Sequence, residues 1–337
     1  MIASLGRFFS YCSKVFPLRQ LLFPPRYAIM ASRNTPGLPR QGKGTVSMLT
    51  KEEFDALLRQ GPLLLDGATG SNLQKMGMPR GCCTEQWVLA HPEALRDLQS
   101  RYARAGSKIL YAPTFQAQPI ALDRVGLKSQ CGAINACLVA LTRSAAPQCL
   151  VAGNLTTLAA YLETWNSDCF DTMVENYRVQ IAALMEGGAD LLAAETLVCP
   201  QDAEAIFTAA ELEGASCVLY SFTMQQDGSL FSGMEAGPVL RELEQAGAAA
   251  VGFNCVSANR FTPGLVSKLR RFVRGHLVCK PNAGDPVIGE DGLARYNLGP
   301  DAFAQILSDC HEMGADILGG CCGTDPDFLE AISRGFA

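Results

Sequence analysis

One pattern repeats eight times along this chain: a short apolar run, a turn of polar or glycine residues, and then a longer amphipathic segment. The apolar runs cover residues 63–66, 109–114, 150–154, 191–195, 218–223, 250–254, 277–281 and 317–320. The amphipathic segments cover residues 92–105, 131–143, 171–186, 200–213, 238–245, 262–273, 301–313 and 326–336. Eight strand-and-helix units within roughly 275 residues predict an α/β fold, a single-domain (β/α)8 TIM barrel.

The helix boundaries agree with this repeat. Proline occupies the first turn of several amphipathic segments, as at Pro92 and Pro326, and glycine ends several others, as at Gly106 and Gly314. An open, doubly wound sheet is the alternative, but it normally carries a glycine-rich phosphate loop after its first strand. No G-x-G-x-x-G loop follows the first apolar run. The closed barrel is therefore the better prediction.

Residues 1–48 have a different composition from the rest. The first fifty residues carry seven basic side chains and no acidic one, which resembles an organellar transit peptide. Five prolines, however, interrupt any amphipathic helix there, and Met48 precedes a helix cap at Thr50, as at a natural protein start. We therefore expect residues 1–48 to be a disordered or wrongly assigned leader, and residues 49–337 to form the barrel.

Composition excludes several classes of function. The net charge is −5, and the acidic balance lies in the body of the chain, which argues against a nucleic acid as partner. No window of 18 uninterrupted apolar residues occurs, so a membrane span is not expected. The fourteen cysteines are scattered through apolar segments, which favours reduced thiols in the cytoplasm over a disulfide framework.

Polar side chains follow most of the predicted strands. In a (β/α)8 barrel the catalytic groups lie at the carboxyl ends of the strands, so these side chains are the candidates for the active site. They are Asp66, Thr114, Asn154, Glu195, Thr223, Asn254 with Cys255, Asn282, and Cys321 with Cys322.

Three cysteines at two of these strand ends predict a metal site. Cys255 follows one strand, and the adjacent pair Cys321 and Cys322 follows another between glycines. Three thiolates around Zn²⁺ leave its fourth tetrahedral position open, as in a catalytic zinc site. A substrate thiol bound there would become a thiolate at neutral pH, which suits transfer of an alkyl group to sulfur. The pair Cys82 and Cys83 follows no strand, and we interpret it as incidental.

An anchor for the rest of the substrate is present at the same strand ends. Asp66, Glu195 and Asn254 can accept hydrogen bonds from an ammonium group, with both carboxylates ionised. The turn that begins at Asp66 and Gly67 offers backbone N–H groups to a carboxylate. An amino acid that carries a thiol fits both features.

Taken together, these residues resemble the homocysteine S-methyltransferase family, whose members are zinc-dependent (β/α)8 barrels. The motifs are Leu65-Asp66-Gly67-Ala68-Thr69-Gly70-Ser71, Thr114-Phe115, Ala194-Glu195-Thr196, Gly252-Phe253-Asn254-Cys255, Pro281-Asn282-Ala283-Gly284 and Gly319-Gly320-Cys321-Cys322-Gly323-Thr324. The resemblance implies that Cys255, Cys321 and Cys322 bind Zn²⁺, and that Asp66, Gly67 and Glu195 help to hold homocysteine.

The methyl donor differs among branches of that family. Residues 78–85 and 111–115 look most like the branch that forms the amino-terminal module of cobalamin-dependent methionine synthase. The resemblance therefore implies a methyl-corrinoid, such as methylcobalamin on a separate chain, or S-methylmethionine as donor. Where the family often has a Gly-Pro turn after the third strand, this chain has Leu155-Thr156-Thr157, and this departure bears on the donor.

Two other functions stay open at this point. Lys280 closes the seventh predicted strand, and a barrel lysine can form a Schiff base with a carbonyl substrate, as in an aldolase or lyase. The second alternative is a non-catalytic subunit that binds zinc or a thiol and presents homocysteine to a corrinoid partner.

Overall fold

The computed structural model describes residues 48–162, 167–290 and 292–336. The predicted leader, apart from Met48, lies outside these residues, so its role stays a prediction. Among the helices within these ranges, none combines the length and the hydropathy that a membrane span requires.

Eight parallel strands form a barrel. The ten strands in chain order are β1 (Leu63–Leu64), β2 (Ile109–Tyr111), β3 (Leu150–Thr156), β4 (Leu191–Leu197), β5 (Val218–Phe222), β6 (Ala250–Ser257), β7 (Leu277–Asn282), β8 (Pro286–Ile288), β9 (Ala294–Tyr296) and β10 (Ile317–Leu318). Neighbours in the barrel pair in the order β1-β10-β7-β6-β5-β4-β3-β2, and a parallel bridge from Leu65 to Ile109 closes the ring. β8 and β9 form a separate antiparallel hairpin between β7 and β10. The predicted (β/α)8 barrel is confirmed.

Helices surround the barrel. They are α1 (Lys51–Leu58), α2 (Gly70–Lys75), α3 (Thr84–Ala90), α4 (Pro92–Arg104), α5 (Pro119–Asp123), α6 (Cys131–Ala145), α7 (Ser167–Glu186), α8 (Pro200–Glu213), α9 (Ala236–Ala246), α10 (Thr262–Arg270), α11 (Pro300–Glu312) and α12 (Pro326–Gly335). The eight predicted amphipathic segments correspond to α4 and to α6 through α12. Three short helices, α2, α3 and α5, lie in loops that the repeat pattern did not mark as helical.

A helix closes the amino end of the barrel. α1 begins with a capping box in which Thr50 and Glu53 exchange hydrogen bonds, as expected for the cap at Thr50. Its Phe54 is fully buried and packs with alternate strand residues, among them Leu63 and Leu65, in the barrel interior. The polar side chains that follow the strands therefore gather at the opposite, carboxyl end.

Candidate metal and substrate site

Two irregular strands bring side chains to the carboxyl end of the barrel. The pairing register shifts near the ends of β4 and β6, and each shift contains one residue with left-handed backbone: Thr196 (φ 58°) and Cys255 (φ 56°). This conformation costs a non-glycine residue about 1–2 kcal/mol, and such irregularities re-aim side chains next to active sites. The strand pattern predicted both strands but not this change of direction.

The glycines around the adjacent cysteines allow close packing between loops. A Cβ added at Gly319 would lie 2.8 Å from the Cβ of Leu65, and a Cβ at Gly320 would overlap the side chain of Thr324. The N–H of Cys321 then donates to the carbonyl of Pro281 at 2.7 Å, which fixes the start of the cysteine pair against β7.

The three cysteine sulfurs meet at one point. Cys255 Sγ lies 2.9 Å from Cys321 Sγ and 3.8 Å from Cys322 Sγ, and all three sulfurs fall within 4.8 Å of one another. Zn–S bonds of about 2.3 Å in a tetrahedron require S···S separations of about 3.8 Å. One separation already matches, and the shorter one must open by about 0.9 Å, so the donor set fits a tetrahedral thiophilic metal.

The metal-free sulfurs do not favour three thiolates. Hydrogen bonds with Cys321 and Cys322 favour the protonated thiol of Cys255 and, together with burial and with repulsion between like charges, raise its pKa well above the ordinary value. A cation at the centre of the three sulfurs removes this repulsion, and its binding must release protons.

Asp66 extends from the end of β1 into the same end of the barrel. Its Oδ2 accepts a hydrogen bond from the N–H of Tyr111 at 2.8 Å, and its buried Oδ1 has no hydrogen-bond donor. Burial raises the pKa of Asp66 to about 7, although Lys280 acts in the opposite direction. Burial therefore opposes the expected ionisation of Asp66 at neutral pH, because water no longer solvates its charge.

Glu195 lies beside Asp66 at the end of β4. Its Oε1 accepts a hydrogen bond from Asn154 Nδ2 at 2.9 Å, and its Oε2 lies 3.5 Å from the ammonium of Lys280. Burial raises the pKa of Glu195, and the attraction of Lys280 opposes that shift. Asn254 Nδ2 also donates to Oε2 at 3.5 Å, so Glu195 is a buried acid that already has one cationic and two neutral partners.

Lys280 at β7 joins the two carboxylates. Its Nζ lies 3.8 Å from Asp66 Oδ1 and 4.9 Å from the ring centre of Tyr111. Burial acts to lower the pKa of Lys280, but the attraction of Glu195, Cys321 and Asp66 outweighs it and raises that pKa well above its ordinary value. A Schiff-base lysine must be unprotonated to attack a carbonyl, so these contacts disfavour the aldolase or lyase alternative.

Asn254 is fully buried between β4 and the cysteines. Its Oδ1 accepts hydrogen bonds from Thr196 N–H (2.8 Å) and Ser221 Oγ (2.9 Å). Its Nδ2 donates to Thr196 Oγ1 at 2.7 Å and lies 3.8 Å from Cys321 Sγ. These contacts fit an orienting role better than the direct contact with an ammonium group that the sequence predicted.

The turn after β1 packs tightly against the loop after β10. A Cβ on Gly67 would lie 2.6 Å from the hydroxyl of Tyr102 and 2.9 Å from Thr324 Oγ1, so only glycine fits there. The N–H of Ala68 donates to Thr324 Oγ1 at 3.2 Å. This N–H is therefore already used, and Gly67 supplies the close approach that the turn requires.

Sequence reasoning gave no role to three residues that complete the site. Asn154 was among the strand-end residues but had no assigned partner, and Thr196 appeared only within a motif. Tyr296 ends β9, and its ring packs against Gly323 beside Cys322. Only a prediction of the hairpin and of its direction could have identified Tyr296.

The fold and site define a (β/α)8 barrel in which three cysteines that could hold a metal ion lie beside two buried carboxylates and a lysine. The family model for homocysteine S-methyltransferase matches residues 63–336, and the chain belongs to that family.

Known proteins that are similar in sequence and in structure support this family membership. The chain is 27% identical over 300 residues to a methionine synthase of Mycobacterium leprae, covering 83% of this chain and 25% of that protein. It thus spans about a quarter of the length of that relative. The structure also resembles the Escherichia coli homocysteine methyltransferase MmuM in its oxidised form (27% identity, TM-score 0.71) and its metallated form (27% identity, TM-score 0.70). These alignments cover 83% of this chain and 97% and 98% of the MmuM chains.

Proposed function

We propose that this protein transfers a methyl group to the thiolate of homocysteine and forms methionine, with Zn²⁺ bound by Cys255, Cys321 and Cys322. The observation that carries the proposal is the position of the three sulfurs beside Asp66 and Glu195 at one end of the barrel. A set of sulfur ligands for a metal thus lies next to carboxylates that can anchor the ammonium group of an amino acid. Family membership and the metallated form of MmuM support the same reaction.

The metal would supply one kind of chemistry: it lowers the pKa of a coordinated thiol, so that the substrate sulfur is a nucleophilic thiolate at neutral pH. The cysteine set suits Zn²⁺ because thiolates are soft ligands and a three-cysteine set leaves one tetrahedral position for substrate. The protein's own residues bind the rest of the substrate and orient it.

The substrate ammonium would bind between the two carboxylates. Asp66 Oδ1 is the better acceptor, because it is buried without a hydrogen-bond donor, whereas both oxygens of Glu195 already have partners. Lys280 holds the two carboxylates in place and favours their ionised forms. Asn254 and Asn154 orient Glu195 and the neighbouring backbone, and Gly67 lets the turn approach the substrate.

The donor is the finer part of the proposal. We infer a methyl-corrinoid, carried as methylcobalamin by a separate chain, or S-methylmethionine. Similarity to a methionine synthase supports the first donor. The alignment with MmuM covers 97% of that chain, so this relative consists of little besides the barrel, which supports a small-molecule donor such as S-methylmethionine. The buried cysteines Cys131, Cys149 and Cys217 are free thiols, which fits a reducing compartment such as the cytoplasm.

The test is turnover by zinc-loaded protein with homocysteine and one donor at a time: methylcobalamin, S-methylmethionine, S-adenosylmethionine or betaine. We expect methionine with methylcobalamin or S-methylmethionine, and none from metal-free protein. Binding of zinc and homocysteine without methionine from any of the four donors would instead support the non-catalytic subunit.

A further inference from the structure

The hairpin after β7 contacts the metal-binding cysteines through one residue. The ring of Tyr296 packs against Gly323, the residue after Cys322, where an added Cβ would lie 2.9 Å from Tyr296 Cε2, and this places the Tyr296 hydroxyl where it can donate a hydrogen bond to Cys322 Sγ. The five other residues of β8 and β9 are exposed, and Val287 and Ile288 are 63% and 62% exposed. Tyr296 is thus the strand residue of the hairpin that faces the barrel.

Apart from the contacts among the three cysteines, each of the other two sulfurs also faces a side chain that can donate a hydrogen bond. Asn254 Nδ2 lies 3.8 Å from Cys321 Sγ, and Thr196 Oγ1 lies 4.0 Å from Cys255 Sγ. The three donors come from three different elements, β6, β4 and β9. A hydrogen bond to a thiolate withdraws charge from the sulfur, and the sulfur becomes a weaker nucleophile.

These donors address a problem that the proposed reaction creates. A methyl donor at the mouth of the barrel meets the substrate thiolate and three cysteine thiolates. If Cys322 reacted, its lone pair would bond to the methyl carbon, and the leaving group would depart with the electrons of its own bond to that carbon. The product is a neutral thioether, a poorer ligand than a thiolate, so the metal site would be damaged.

We propose that Tyr296, with Asn254 and Thr196, protects the cysteine sulfurs from methylation, so that the methyl group goes to the substrate. This inference rests on the proposed function. Cys255 and Cys322 are partly exposed, whereas Cys321 is buried, so Thr196 and Tyr296 face the two sulfurs that a methyl donor can reach. Tyr296 is the more informative of these two donors, because it comes from a loop hairpin that the barrel strands do not require.

The experiment treats zinc-loaded protein without homocysteine with iodomethane, a small probe that needs no protein or corrinoid partner. Mass spectrometry then gives the methylation rate of each cysteine. Tyr296→Phe keeps the ring on Gly323 and removes only the hydroxyl, and we expect Cys322 to react about tenfold faster, the factor at the low end for one hydrogen bond to a charged acceptor. The matched control is Tyr220→Phe, since the Tyr220 hydroxyl has no hydrogen-bond partner in the described part of the chain. It should leave every rate unchanged.

A second variant tests the same idea at another sulfur. Thr196→Val should raise the methylation rate of Cys255. Thr196→Ser keeps the hydroxyl, so Cys255 should react at the wild-type rate in that variant. Zinc release to a chelator is measured in parallel, because a merely structural role for Tyr296 would change metal retention without changing the reactivity of Cys322.

The outcomes separate this inference from the proposed function. Wild-type protein that binds no zinc would overturn both. Zinc-loaded Tyr296→Phe protein whose Cys322 is methylated at the wild-type rate would overturn the inference alone, whatever its rate of zinc release. Faster methylation confined to Cys322 in Tyr296→Phe, and to Cys255 in Thr196→Val, would support it.

Discussion

Homocysteine binding should release more than one proton at neutral pH, and the number should depend on Asp66. The substrate thiol loses its proton when it reaches the metal. In the free protein, burial holds the pKa of Asp66 at about 7, so this carboxyl is about half protonated at pH 7. A bound ammonium lowers that pKa, because an opposite charge favours the ionised form. Asp66 therefore releases its share of protons as well.

The expected numbers follow from the two pKa values. With a free thiol pKa of about 8.5 and complete ionisation of Asp66 in the complex, release is about 1.9 protons at pH 6, about 1.5 at pH 7 and about 0.85 at pH 8. The sign is fixed: the contribution of Asp66 grows as pH falls below 7 and disappears above it. Asp66→Asn should release about 1.0 proton at both pH 6 and pH 7, since only the thiol contributes.

The assay is isothermal titration calorimetry of zinc-loaded protein in buffers of different ionisation enthalpy. Methionine has no ionisable thiol, so it should release only the share of Asp66, about 0.5 proton at pH 7. Homocysteine should release only the Asp66 share from metal-free protein, because no metal ionises the substrate thiol. A wild-type release that stays near one proton from pH 6 to pH 8, or that matches Asp66→Asn throughout, would refute the role given to Asp66.

Three further changes have clear expected results. Lys280→Met leaves buried carboxylates without their cation. Urea denaturation should show that the free energy of unfolding falls by about 3 kcal/mol at pH 8 and by less at pH 5, where Glu195 is more easily protonated. An equal loss at both pH values would contradict this. Gly323→Ala places a Cβ at φ 85° against the ring of Tyr296, and we expect a thermal melt to show about 1–3 kcal/mol of destabilisation; an unchanged melting temperature would argue against that packing. Deletion of residues 1–47 should leave the melting temperature and turnover unchanged, and a loss of more than about 2 °C, or roughly 1 kcal/mol, would mean that the leader packs on the barrel.

The sequence was sufficient for the architecture because the repeat is strongly periodic. The boundaries of α8, Pro200–Glu213, agree with the prediction at both ends, since Pro200 and Gly214 mark them chemically. β4 and β6 continue two and three residues beyond the predicted ends at 195 and 254. Alternation of apolar residues gives no signal for a register shift, so the extensions that carry Thr196 and Cys255 were not predictable.

The convergence of Cys255, Cys321 and Cys322 was predictable because parallel strands end at one edge of the barrel. The electrostatics were not, since the pKa of Asp66 depends on how deeply the neighbouring strands bury it. Lys280 illustrates the same limit. Its type and strand position suggested a Schiff base, whereas its distances to both carboxylates indicate a permanent cation. Tyr296 depends on the path of an irregular loop, which strand periodicity does not describe.

The zinc content of wild-type and variant proteins decides whether Cys255, Cys321 and Cys322 bind the metal. Elemental analysis should find about one zinc per chain in wild-type protein and in Cys82→Ala/Cys83→Ala, and none in Cys321→Ala/Cys322→Ala, because one remaining sulfur at Cys255 cannot hold the metal. Circular dichroism should show that all three proteins are folded. Full zinc in Cys321→Ala/Cys322→Ala, or loss of zinc from Cys82→Ala/Cys83→Ala, would contradict the proposed metal site.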